Sequence, residues 1–297
     1  MMQPVETPPA SLTQVLSPKQ LARVIGASES SLKRWIDGGQ IHAVRTSGGH
    51  RRITLAEAVR FIRERHHEIA DPLPLGLPEV VAHQPESLTQ RLYGTLINGD
   101  ASGARILLMT AYISGTPVTE LCDGPLRHAL ERIGDLHKHG DAHAGIAIEH
   151  HATDICLNAL HHLRSYLPLI PNNAPIALGG APAGDPHLIP SLMAAMTFET
   201  CGFHTFNLGS NTPLETLHNA AMHHRPRLVW LSVCSPDGLG ALHQPLMRLA
   251  DELAHIDAVL IIGGRVSPQL TLESRANVMR AHTLQEGARI ARNLIRL

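Results

Sequence analysis

Two proline-rich breaks cut this chain into three blocks whose apolar residues follow different periods, so one repeating architecture cannot account for all of it. The first break, DPLPLGLPEVVAHQPES at 71–87, carries four prolines and no sustained period, which reads as a linker. The second is PLIPNNAP at 168–175. At 297 residues the chain has room for about two or three domains at roughly 100 to 200 residues each. With 43% hydrophobic and 17% charged residues it can bury a core, which excludes a disordered protein.

The formal charge of -1 conceals an asymmetry. Residues 1–70 hold ten Lys or Arg against six Asp or Glu, whereas the remainder holds fifteen against twenty. The amino-terminal block is therefore the expected polyanion binder. No apolar run reaches the roughly 18 to 20 residues of a membrane span, and MMQPVETPPASL lacks a basic segment followed by an apolar one, so a cytoplasmic protein without membrane partners is expected. Cys122, Cys156, Cys201 and Cys234 stand singly in apolar surroundings, the pattern of buried free thiols rather than of zinc or disulfides. Histidine is in surplus, 21 residues against three lysines, which fits metal or macrocycle binding or simple drift in an Arg-rich chain.

In the first block, Ser17-Pro18-Lys19-Gln20 places a capping Ser before a Pro at the first helical position and Gln at the third. Leu21, Val24 and Ile25 supply an apolar face, Gly26 ends the helix, and Ser28 caps a second helix, ESSLKRWIDGG, in which Trp35 lies on the core side. Two short helices about a tight turn form a helix-turn-helix. A strand over Ile41–Arg45, a Ser47-Gly48-Gly49 turn, a strand over His50–Ile53 and a Thr54-Leu55-Ala56-Glu57 capping box then predict a wing and a third helix. Ser30, Ser31, Lys33 and Arg34 lie where the second helix would enter a major groove, and Arg45, His50, Arg51 and Arg52 bring donors to phosphates or a minor groove.

The second block repeats apolar positions every three or four residues, predicting helices near 88–98, 100–114, 118–138 and 143–166. The third alternates apolar runs at 176–179, 203–208, 228–233 and 258–262 with helical stretches, which predicts an open parallel sheet with ligand contacts at the carboxyl ends of its strands. The expected fold is multidomain. It comprises a disordered start over 1–16, a winged helix-turn-helix over 17–70 that is α apart from a small wing, a four-helix bundle over 88–167, and an α/β Rossmann-like parallel sheet over 175–297.

SPKQLARVIGASESSLKRWIDGGQIHAVRTSGGHRRI resembles the winged DNA-binding domain of the MerR family, most closely the members with a TSGGHRR wing. Glu149-His150-His151-Ala152-Thr153 resembles the segment that caps cobalamin in light-sensing MerR repressors, and Asp185-Pro186-His187-Leu188-Ile189-Pro190 resembles the Asp-x-His-x-x-Gly signature of cobalamin-binding domains. The resemblance implies His187 as the lower metal ligand with Asp185 orienting it, Glu149 and His150 over the upper face, and Ser232 with Gly263 and Gly264 beside the nucleotide tail. The family's upper-face Trp is replaced by His139, or by His137 in a second register, and Pro190 and Pro186 depart from the signature. A histidine at that position is able to ligate a metal where Trp only packs; an exposed loop histidine is the other reading. The same choice, metal ligand or surface loop residue, stands for His187.

The function implied is a repressor that binds double-stranded operator DNA as a homo-oligomer, dimer or tetramer, and responds to adenosylcobalamin and light. Two alternatives keep the DNA reader: a sensor of haem or another tetrapyrrole, and a regulator that needs no cofactor. A cobalamin-dependent enzyme component is the remote reading, because no substrate barrel accompanies the sheet; the expected protein is not an enzyme.

Overall fold

A computed structural model of the chain describes residues 15–78, 86–136 and 142–296. They form two compact units, one made by residues up to 84 together with 113–115, the other by 85–112 and 116–297.

In the first unit, Ser17 accepts from the Gln20 backbone N–H while the Gln20 side chain returns to the Ser17 N–H, so the expected capping box starts α1 (Pro18–Val24). Gly26 takes a φ of +63° to turn the chain, and Ser28 caps α2 (Glu29–Asp37) through the Ser31 N–H. The wing strands are β2 (Val44–Arg45) and β3 (Arg51–Thr54), antiparallel. The hairpin tip closes by Gly49 N–H donating to the Thr46 carbonyl at 2.8 Å, with Gly49 at φ +77°. β1 (Val15–Leu16) pairs with the other edge of β3, in a stretch read as disordered.

Thr54 caps α3 (Leu55–Glu64), but the second half of the expected box is absent: the Glu57 carboxylate turns away to accept from the His42 N–H at 2.7 Å and to pair with Arg60. Leu21, Val24, Leu32, Ile53, Val59, Phe61 and Ile62 are buried at 1% exposure or less, and Trp35 packs at a tilt against Phe61 with centroids 5.4 Å apart. Residues 71–78, read as linker, pack on this unit instead. Leu73–Leu75 makes a short 3-10 turn, Leu75 and Leu77 are buried, and the Ala70 N–H donates to the Val24 carbonyl at 2.7 Å.

In the second unit the bundle is built from α4 (Leu88–Ile97), α5 (Ala101–Ile113), an interrupted third helix, and α8 (Ala142–Arg164). The interruption is a π turn at Cys122–Leu126 between α6 (Val118–Leu121) and α7 (Arg127–Gly134). Pro125, which has no N–H to offer the preceding turn, is the sequence cause.

The sheet is five-stranded and parallel in the order β5-β4-β6-β7-β8, with β4 (Ile176–Gly180), β5 (His204–Asn207), β6 (Leu228–Ser232), β7 (Val259–Gly263) and β8 (Val278–Arg280). α9 (Leu188–Thr200) and α12 (Leu284–Arg296) cover one face through Ala195, Phe198 and Ala291. α10 (Leu214–His224) and α11 (Leu239–Ala254) cover the other through Leu217, Leu246, Ala250 and Leu253. Two polar contacts are prominent between bundle and sheet. Arg164 of α8 pairs with the nearly buried Glu199 of α9, and Asp123 accepts from the Leu284 and Gln285 N–H groups at 2.9 and 3.1 Å, capping α12. Among the described residues no helix is long and apolar enough to cross a membrane.

Candidate functional site

The carboxyl ends of β4 and β6 sit side by side at the point where the strand order reverses, since the next strand in sequence after β4 lies on its other side. Connections leave such a pair in opposite directions and open a crevice between them, which is where ligands bind in open α/β sheets. The loop after β4 carries Asp185 and His187 into this place; the loop after β6 begins at Ser232.

Pro186 shapes the first loop. It has no N–H, so the Asp185 carboxylate takes the next one, accepting from His187 N at 3.1 Å in an Asx-type turn. The same oxygen, Oδ1, receives the His187 ring Nδ1 at 2.7 Å. The other oxygen, Oδ2, accepts the backbone N–H groups of Cys234 at 2.5 Å and Ser235 at 3.0 Å, from the loop after β6. Asp185 is 1% exposed. Burial pushes its carboxyl up, but the bonds from the His187 ring and the Cys234, Ser235 and His187 N–H groups outweigh this and hold it below the ordinary value of 3.8.

A carboxylate at Nδ1 fixes that nitrogen as the donor and leaves Nε2 with its lone pair. The His187 side chain is 42% exposed, at the N-cap of α9. Leu188 and Leu208 stand exposed on the same end of the sheet, Leu188 packing within 3.7 Å of the Cβ position of Gly209. Pro190 falls in the first turn of α9, where helical N–H groups have no partner anyway, so the departure from the signature glycine costs the helix nothing.

Ser232 is buried and lies opposite Gly263 in the β6-β7 register. Gly264 is glycine for a local reason: its φ is +99° and a Cβ there would lie 2.3 Å from the Val233 carbonyl oxygen. Asp185, His187, Ser232, Gly263 and Gly264 thus come together from the ends of three adjacent strands. Glu149 and His150 lie on α8, half-buried and exposed respectively, and among the described residues no hydrogen bond or ion pair joins them to the His187 loop. His137 and His139 lie outside the described residues. No group of three or more His, Cys, Asp or Glu among the described residues is arranged to hold a metal ion. Sequence reasoning missed the Cys234 and Ser235 amides that hold Asp185, since backbone donors carry no side-chain signal. Cys122, Cys156 and Cys234 are buried free thiols, and burial pushes Cys156 up to about 12.

In the first unit, Ser30, Lys33, Arg34, Arg45 and His50 are exposed. No ion pair or side-chain hydrogen bond among the described residues engages Arg34 or Arg45. Lys33 pairs with Glu29 at 2.9 Å along α2, and Ser31 is half-buried with its hydroxyl 2.9 Å from that of Ser28. Arg51 is partly covered and donates to Asp37 at the end of α2 at 2.5 Å, tying the wing to that helix, while Arg52 is half-buried and donates to the Arg51 carbonyl. Among the described residues, Arg34 and Arg45 are thus the unpartnered cations of the eight, while Ser31, Lys33, Arg51 and Arg52 also make contacts within the reader.

Residues 15–66 match the family model described as a helix-turn-helix domain. The chain is 26% identical over 226 residues, 72% of its length and 75% of the relative's, to the HTH-type transcriptional repressor CarA of Myxococcus xanthus. The monomethylamine corrinoid protein of Methanosarcina barkeri superposes with a TM-score of 0.55 at 18% identity, over 70% of this chain and 98% of that one, a likeness of fold. With a helix-turn-helix that offers free cations beside a glycine-tipped wing, and a relationship to a repressor running through most of its length, the chain is a DNA-binding transcriptional regulator, about 70% of which resembles a corrinoid protein in fold.

Proposed function

We propose that this regulator is controlled by a cobalamin-type corrinoid held over His187, and that ligand state sets the oligomer in which the readers meet operator half-sites. The observation that carries the reading is the His187 imidazole, placed at the switch point of the sheet with Nδ1 on a buried carboxylate and Nε2 directed away from it. A carboxylate behind an imidazole raises its basicity and holds its orientation, which is what an axial metal ligand requires. The exposed Leu188 and Leu208 supply apolar surface for the flat face of a macrocycle. The likeness to a corrinoid protein and to the repressor CarA supports the same reading.

When bound, a corrinoid would supply a metal whose bond to an exchangeable ligand responds to its chemical state or to light. The chain's own residues do the rest: Asp185 keeps the Nδ1 proton, the Cys234 and Ser235 amides keep Asp185, and His187 stands ready as a nitrogen donor. Glu149 and His150, with His139 or His137, are proposed to cover the opposite face. An adenosylated corrinoid is the proposed form, with light as the proposed signal, and the proposed site of action is the cytoplasm. The proposed DNA-bound state is a dimer or tetramer, because readers of this type recognise paired half-sites.

The test is an absorption titration of the full chain with hydroxocobalamin, adenosylcobalamin and haemin, each repeated with His187→Ala. A cobalamin spectrum that shifts on binding and loses the shift in His187→Ala supports the reading. Saturable binding of haemin alone favours the haem alternative, and no shift with any of the three, nor with the tail-less aquocyanocobinamide, favours a regulator without cofactor.

A further inference from the structure

Resting on the corrinoid reading above, we infer that the ligand of this site is a corrinoid without a nucleotide tail, because the chain's own Trp230 occupies the lane such a tail would follow. Side chains alternate along β6: Leu228 and Trp230 face α9 and α12, Val229, Leu231 and Val233 face α10 and α11, and Ser232 follows in the first register. A tail lying beside Ser232 and passing between the sheet and α9 meets position 230 next, about 7 Å further in.

That position is closed. Trp230 is 2% exposed, with its ring centroid 5.5 Å from that of Phe198 on α9. Its Nε1–H donates to the Ser191 hydroxyl at 3.1 Å, and that hydroxyl donates to Asn207 Oδ1 at 2.8 Å, which also accepts the Gly209 N–H at 3.1 Å. Ser191 is wholly buried. The indole lies across Gly179 of β4, where a Cβ would stand 2.3 Å from the ring carbon Cδ2.

The indole is thus latched at its nitrogen, packed at a tilt against Phe198 on one side and accommodated by a glycine on the other. A bicyclic aromatic side chain fills the space that the bicyclic base of a nucleotide tail needs. His187 and the exposed leucines lie outside this plug, so the metal-facing part of the site stays available while the tail-facing part is occupied by protein.

The experiment titrates the full chain with aquocyanocobinamide, which lacks the tail, and with hydroxocobalamin, which has it, following absorption. Wild type is expected to bind cobinamide at least ten times more tightly. Trp230→Val, checked for folding by near-ultraviolet circular dichroism and a thermal melt, should narrow the ratio below threefold. A second measurement keeps the question open to refutation even if the variant unfolds. Indole N–H exchange, resolved for the chain's two tryptophans by nitrogen-15 labelling, should stay slow at Trp230 when wild type is saturated with either corrinoid.

Equal affinity for the two corrinoids in wild type, an unchanged ratio in a folded Trp230→Val, or rapid exchange at Trp230 on cobalamin binding would overturn the inference while leaving the corrinoid reading intact. Failure of both corrinoids to bind would remove the corrinoid reading, and this inference with it.

Discussion

Asp185 is the residue on which stability and ligand binding separate most cleanly, because its two oxygens serve different masters. Oδ2 satisfies the Cys234 and Ser235 N–H groups, both on buried residues, while Oδ1 holds the His187 ring and backbone. Asp185→Ala leaves the two buried amides without an acceptor, at about 1 to 3 kcal/mol each, so the second unit should lose about 4 kcal/mol. For a unit of this size that lowers the melting temperature by roughly 8 to 16 °C, measurable by differential scanning calorimetry.

Asp185→Asn should behave differently. Its carbonyl oxygen is able to take the place of Oδ2 and keep the two amides, which turns the NH2 group toward His187. Nδ1 must then accept, the proton moves to Nε2, and the lone pair offered to a metal is lost. We expect Asp185→Asn to cost less stability than Asp185→Ala but to weaken corrinoid affinity by about ten- to a hundredfold. A variant Asp185→Asn with full affinity would refute the tautomer argument, and Asp185→Ala with an unchanged melting temperature would refute the account of the two amides.

Glu57 is held below its ordinary value of 4.5, because the Arg60 and His42 bonds outweigh the upward push of burial. A depressed carboxyl contributes stability above its unfolded pKa and loses it as pH falls through the folded value. The first unit should therefore destabilise progressively below about pH 4.5, and Glu57→Gln should flatten that limb of a pH-dependent denaturation series. Arg34→Ala should weaken operator binding by about 1 to 3 kcal/mol if the contact reads a base, whereas Arg45→Ala should lower the salt slope by about one if it meets phosphate, both by fluorescence anisotropy across salt concentrations. Gly179→Ala drives a methyl into the Trp230 ring and carbonyl and should cost about 3 kcal/mol, read from a denaturant midpoint; a neutral outcome would mean that the indole is not latched as described.

Local signals carried far where caps and turns decide the structure. Ser17, Ser28 and Thr54 each announce a helix, Gly26 and Gly49 take the positive φ their turns need, and four of the five parallel strands follow apolar runs. What escaped depends on partners distant in sequence. Val15–Leu16 and Val278–Arg280 are too short to display a period and exist as strands only because a neighbour's edge awaits them. The Glu57 carboxylate abandons its cap because His42 and Arg60 offer better partners. Asp185 and His187 were legible as a pair only through the resemblance of their segment to a known signature, and the amides behind Asp185, which come from about fifty residues away, were not legible at all. Trp230 lies within the apolar run 228–233, and only the fold shows its position across Gly179 and against α9.

On the proposed reading, a ligand at His187 governs DNA binding by the reader. Its most direct test is the affinity of the full chain for a duplex selected from a random-sequence library, measured with and without saturating corrinoid, in wild type and in His187→Ala. The account predicts that corrinoid changes wild-type DNA affinity at least tenfold and leaves the His187→Ala chain, which still binds DNA, unaffected. Equal DNA affinity in the presence and absence of corrinoid, or the same response in both chains, would contradict it.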